Sequence, residues 1–207
     1  MPPGLNAVID LSHHNGTVDF AKIKAAGIVG IIHKATQGTQ NVDPTYASRR
    51  GPALDAGLLW GAYHFGDGSD GVAQAEHFLD VVQPDASTLL VLDFEANPSG
   101  PSITLAEGHS FITHVQSVTN VYPGFYSGHY IKDMLGSTSD PLLAQCWFWL
   151  SQYGSTAVVP ANWPTWTMWQ YTDGANGPDP HDVDGVGFCD RDTFNGDLGQ
   201  LQKLWGA

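Results

Sequence analysis

Short apolar runs recur along this chain, about 30 residues apart through the first half and with room for a helix after each. That is the rhythm of βα units, and it constrains the fold more than any other feature. The runs are Ala7 to Leu11, Val29 to Lys34, Leu59 to Phe65, Leu89 to Glu95, Tyr122 to Ser127, Cys146 to Ser151, Thr167 to Thr172 and Val186 to Asp190, and all eight read as strands. Helices are expected over Val18 to Ala26, stopped by Gly27, over Pro44 to Ala56, over Val72 to Val82 ahead of Pro84, and over Thr104 to Thr119 with Thr104 as its N-cap. Beyond residue 140 the connecting segments are rich in Pro, Gly, Ser and Asn, so loops or hairpins replace helices. The pattern predicts an α/β fold, a parallel barrel whose last strands are irregularly connected.

With 207 residues the chain suits one domain, with a core from about residue 7 to 195 and no separate binding module. The formal charge of −13 comes from 21 acids against 8 bases, and no Lys/Arg cluster tracks a phosphate backbone, which argues against a nucleic-acid partner. No apolar run approaches the ~20 residues needed to span a bilayer, and Met1 to Asn6 lacks the basic start and apolar core of a secretory signal. Cys146 and Cys189 permit at most one internal disulfide; buried thiols are the simpler reading, and the redox state stays open.

In a parallel barrel the chemistry gathers where strands end, so the residues closing each run carry the functional signal. The fourth run closes on Asp93-Phe94-Glu95. Strand side chains alternate between faces, so both acids point one way, with Cα atoms ~6.5–7 Å apart, while Phe94 points the other. Two carboxyls crowded together cannot easily both ionise, which supplies the protonated acid beside a negative charge that glycoside hydrolysis needs. A Ca²⁺ site or a solvated strand end would use the same residues. Other runs add Asp10 with Ser12, His13 and His14 just beyond it, and Asp190 with Asp192, so acids from the first, fourth and eighth strands would meet at one mouth. Tyr63, Tyr126, Trp149, Tyr153, Trp169 and Tyr171 are candidate sugar contacts, because flat rings pack on pyranose C–H faces. Alternation allows only about half of them into a pocket, and Tyr63, Tyr126 and Trp169 are the expected set.

The ordered motifs Val8-Ile9-Asp10-Leu11-Ser12-His13-His14-Asn15-Gly16, Lys34-Ala35-Thr36-Gln37-Gly38, Gly61-Ala62-Tyr63-His64-Phe65, Leu92-Asp93-Phe94-Glu95, Trp149 to Tyr153 and Trp169-Gln170-Tyr171-Thr172 closely resemble glycoside hydrolase family 25, the Chalaropsis-type lysozymes. The resemblance runs from about Val8 to Phe194. It implies a single irregular TIM-like barrel, (β/α)5(β)3, with helix-poor last three strands. It also implies peptidoglycan glycan strands as substrate, cleaved at the β-1,4 bond from N-acetylmuramic acid to N-acetylglucosamine. Position by position, it makes Glu95 the general acid/base. Asp93 becomes either the nucleophile or the stabiliser of an attacking substrate acetamido group, and both routes retain anomeric configuration. Asp10 and Asp190 match the family's additional acids, with electrostatic work. Asp192 is read as structural. Gln37 stands where the family usually has glutamate, which removes a charge from the rim but leaves a group able to hydrogen-bond substrate.

Other chemistries remain to be weighed. A chitinase or endo-β-N-acetylglucosaminidase would use the same Asp-x-Glu strand. Asp10, His13, His14, His33, His64 and Asp93 contain the ligand types of a metal-dependent hydrolase or deacetylase, although their spacing argues against a shared ion, so no metal or cofactor is expected. A non-catalytic sugar-binding module would keep the aromatic cleft but gain little from like charges at its centre. A monomer acting at the cell wall, in the periplasm or outside the cell fits these readings, whether phage lysin, secreted effector or trimmed secreted enzyme.

Overall fold

The computed structural model describes residues 2–206. In chain order its elements are β1 (Leu5–Leu11), α1 (Phe20–Ala25), β2 (Gly30–Gln37), β3 (Asn41–Val42), α2 (Tyr46–Asp55), β4 (Leu59–Phe65), α3 (Gly71–Val82), β5 (Leu89–Asp93), α4 (Leu105–Thr119), β6 (Gly124–Ser127), α5 (His129–Leu135), β7 (Phe148–Ser151), β8 (Met168–Thr172), β9 (Asp182–Val183), β10 (Gly187–Phe188), β11 (Asp190–Phe194) and α6 (Leu198–Leu204). Local chemistry marks the helix starts. Asp19 accepts from the Lys22 amide at 3.1 Å and Asp70 from the Ala73 amide at 2.9 Å, while Thr104 with Glu107 and Asp197 with Gln200 form capping boxes.

Hydrogen bonding runs in the order β1, β11, β8, β7, β6, β5, β4, β2, and β1 pairs with β2 to close the ring at eight strands, with β3 appended to β2. Five βα units precede three strands without intervening α-helices, so the fold is an α/β barrel of the expected (β/α)5(β)3 form. The last strand departs from expectation in two ways. Residues 187–188 pair with 182–183 in a separate small hairpin, and the barrel strand is Asp190–Phe194, antiparallel to both β1 and β8. Gly185 and Gly187 lie at φ of +98° and +82°, which breaks the extended run read over Val186 to Asp190 and turns the chain back. An antiparallel strand starts at the mouth where its parallel neighbours finish. Asp190 therefore sits at that mouth as the first residue of β11, opposite Asp10.

Alternation sorts side chains into two cores. Along β5, Leu89 and Val91 fill the barrel interior with Val8, Ile32, Met168 and Phe194, while Leu90 and Leu92 face outward among helix residues such as Phe78, Phe111 and Ile112. The interior is plugged from below by α6, a helix that the apolar pattern had not indicated. Its Leu201 and the adjoining Trp205 are buried in the interior cluster, and a Cβ at Gly30 would meet the Trp205 ring at 3.1 Å. Glycine at position 30 leaves that ring its place at the barrel floor without a tight contact.

Trp205 is 1% exposed and its indole nitrogen has no hydrogen-bond partner among the described residues, so it acts by volume. Trp205→Ala should destabilise the fold by about 3–5 kcal/mol and Trp205→Phe by distinctly less, as read from urea denaturation.

Candidate active site

The closing residues of the strands build a cleft of about 380 Å³ at the C-terminal end of the barrel. Cross-strand register sets its floor. Phe65 lies opposite Asp93, Asp93 opposite Tyr126, Tyr126 opposite Trp149, and Ser151 opposite Gln170, while Asp10 faces Asp190 across β1 and β11. Asp93 and Glu95 both line the cleft, and Phe94 points away between Phe125 and Tyr130, at ring separations of 5.2 and 5.4 Å. The Phe94 amide donates to the Tyr126 carbonyl at 2.9 Å and its carbonyl accepts from Ser127 Oγ at 2.6 Å, so the tripeptide is held from its outward side and presents its acids inward.

The expected acids do come together. Asp10, Asp93, Glu95 and Asp190 share the cleft, with Asp10 and Asp93 buried and Glu95 and Asp190 half-buried at its opening. Tyr63, Tyr126, Trp149 and Tyr153 line it as well. Trp169 does not, contrary to expectation: its ring lies 1% exposed in the outer core beside Trp166 and its Nε1 donates to the Gln152 carbonyl at 2.6 Å. On β8 it is Gln170 that faces inward, and the outward Tyr171 accepts from Asn6 at 2.7 Å. Gln37 also lies off the cleft lining, accepting from Lys34 Nζ at 2.8 Å.

Gln170 is the residue the sequence reading passed over. Its Nε2 donates to Asp10 Oδ2 at 2.7 Å, and its Oε1 accepts from Tyr126 Oη at 2.7 Å and Tyr153 Oη at 3.1 Å. One amide thus ties an acid of β1 to aromatics of β6 and the loop after β7. Alternation from the buried Met168 would have pointed to it. Asp192 is fully buried below Asp10, with Trp149 Nε1 donating to its Oδ1 at 2.7 Å.

Burial and mutual repulsion push these carboxyls upward. Asp93 is raised well above the carboxylate range, first by burial and then by Glu95, with Lys34 opposing. Burial also raises Glu95, and a hydrogen bond from Ser151 opposes the rise. Asp10 is driven well up by burial and then by Asp190 and Asp192, and burial brings Asp190 to about 6, with Asp173 and Glu95 adding to it. At neutral pH such a cluster retains protons, which is what a general acid requires.

The residues considered for a metal disperse. His33 and His64 face the helix layer, where His64 contacts Thr36 at 2.7 Å and Gln74 at 3.0 Å, while His13 binds Asp43 at 2.8 Å. Among the described residues no group of three or more His, Cys, Asp or Glu is arranged to hold an ion. Cys146 and Cys189 are free buried thiols, each pushed up to about 12 by burial.

Known proteins are similar to this chain in sequence and fold. The chain is 34% identical to "Lysozyme M1" of Streptomyces globisporus over 95% of its own length and 70% of that protein, and 28% identical to an N,O-diacetylmuramidase of Chalaropsis over 79% and 86%. Its fold superposes on a bacterial lysozyme from Streptomyces coelicolor with a TM-score of 0.87 at 32% identity, covering 99% of this chain and 98% of that one. A family GH25 lysozyme from Aspergillus fumigatus gives 0.85 at 30% identity, over 99% and 100%. Residues 9–179 match the family described as glycosyl hydrolases family 25, and with the acid cleft at the barrel mouth this makes the chain a glycoside hydrolase belonging to that family.

Proposed function

We propose that this enzyme is a muramidase that hydrolyses peptidoglycan glycan strands at the β-1,4 bond following N-acetylmuramic acid, with retention of anomeric configuration. The observation that carries the reading is the convergence of Asp93, the last residue of β5, and Glu95, just beyond it, within an aromatic-walled cleft. The names of the relatives, lysozyme and N,O-diacetylmuramidase, support the same bond over the chitinase or glucosaminidase alternative. The bacterial wall is then the place of action, and no described helix is long and apolar enough to cross a membrane.

Glu95 donates its proton to the leaving oxygen and later takes one from water. Its half-buried position lets it reach solvent and substrate, and burial keeps it protonated until the bond breaks. Asp93 lies deeper, and its Oδ1 is buried with no hydrogen-bond partner among the described residues. An orphaned carboxylate oxygen in this position suits the N–H of a 2-acetamido group, which would satisfy it and be oriented for attack on the anomeric carbon. That supports Asp93 as stabiliser of substrate-assisted attack rather than as nucleophile. Asp190, brought only to about 6, ionises near neutrality and supplies negative potential that favours the developing positive charge at the sugar, while Gln170 holds Asp10 beside it.

Glu95→Gln should lower the rate of wall lysis by about 10²–10⁴-fold while the circular-dichroism spectrum of the folded enzyme is kept. Undiminished lysis would remove the mechanism. Mass spectrometry of the wild-type digest should find muramic acid at the reducing ends, and reducing-end glucosamine would overturn the bond assignment. Asp93→Asn should fall at least as far as other positioning variants, about 10²-fold, and a cyclised acetamido analogue of the sugar should inhibit the wild type competitively. Stability carries a separate signature. Because folding raises Asp190 to about 6, its contribution is present below the unfolded value of ~3.9 and is lost as pH rises through 6. Asp190→Asn removes that loss, so its melting temperature relative to wild type should be higher at pH 7 than at pH 4.

A further inference from the structure

Only two of the aromatic side chains among the described residues are exposed, Phe188 at 74% and Tyr153 at 42%, and both border the acid cleft. The other phenylalanines are buried or, in Phe65, half-buried on the cleft wall. Leaving a phenylalanine in water forgoes roughly 1.5–3 kcal/mol of burial, so its place at the rim of a sugar cleft calls for an occupant.

The backbone beneath Phe188 is held from several directions. Residues 187–188 pair with 182–183, the Cys189 amide donates to the His181 carbonyl at 3.2 Å, and Arg191 Nη1 donates to the Asp182 carbonyl at 2.6 Å. Val183 and Cys189 anchor the hairpin in the core, and the Gly185 carbonyl accepts from the Asp19 amide at 2.8 Å, which ties the turn to the start of α1. The ring has no route into the core, because Cys189 already occupies the inward position beside it. Phe188 and Asp190 flank this buried residue with their Cα atoms ~6.5–7 Å apart along extended chain, and both side chains border the cleft.

Resting on the muramidase reading, we propose that Phe188, with Tyr153, forms a sugar-binding platform beyond the scissile bond and selects long glycan strands over short ones. A pyranose C–H face stacks on the phenyl ring, while Tyr153 contributes its ring edge and keeps its hydroxyl on Gln170. The platform touches no reacting atom. Its contribution is binding, so it acts on KM and leaves the acid chemistry alone.

The test uses purified enzyme on long, peptide-free glycan strands and on the shortest oligosaccharide the wild type cuts. Phe188→Ala should raise KM on long strands about five- to tenfold with kcat, pH profile and melting temperature unchanged, should leave the short substrate unaffected, and should be reversed by Phe188→Trp. An unchanged KM on long strands, or an equal rise on both lengths, overturns the platform. Binding to long strands is also measured by calorimetry in the inactive Glu95→Gln background, with and without Phe188→Ala. This arm separates the two readings: a wild type that cuts no glycan defeats the muramidase proposal, whereas equal affinity with and without Phe188 defeats only the platform.

Discussion

Closure of the barrel imposes strict alternation on every strand, and the site follows from it. Once β1 and β2 pair, each inward position must be filled and each outward one must meet a helix or solvent. The interior grades from Trp205 and Gly30 at the floor through Val8, Ile32 and Val91 to a layer of acids and their partners at the top. Asp93 and Glu95 are neighbours because Phe94 between them has to face outward. Turning β11 antiparallel adds Asp190 and Asp192 to the same interior face as Asp10, which a parallel eighth strand ending at Asp190 would have done for one acid only.

The acids are thereby concentrated where water is scarce. Lys34 is the cation that offsets Asp93, and it too is lowered by burial, so charge within the cleft is limited by desolvation more than by pairing. The fold answers with neutral donors. Gln170 serves Asp10, Trp149 serves Asp192 and Ser151 serves Glu95, each lowering a carboxyl that its surroundings raise. Asp93 keeps one oxygen without such a donor, and the proposed role of the substrate's own N–H grows from that difference.

Much of this was legible beforehand, and the gaps have physical causes. The first seven strands and four helices fall close to where apolar period and capping residues put them, since both are local signals. The eighth strand was displaced because Val186, Phe188 and Cys189 are apolar enough to read as a strand, while the flanking glycines that turn the chain act through φ, which periodicity does not register. Among the aromatics, Tyr63, Tyr126, Trp149 and Tyr153 reach the cleft and Trp169 does not. Composition cannot separate Trp149 from Trp169; both are large, nearly unexposed and hydrogen-bonded through Nε1. Which face each occupies depends on strand register.

From sequence alone came the βα rhythm, the shared face of Asp93 and Glu95 and the ordered motifs of a family, because each is encoded in residues near one another along the chain. Tertiary structure alone decided the direction of β11, the plugging of the floor by Trp205, the linking of Asp10 to Tyr126 and Tyr153 through Gln170, and the outward placement of Trp169. Those depend on contacts between residues far apart in the chain, such as the 160 positions between Gln170 and Asp10, and closing the barrel is what brings them together.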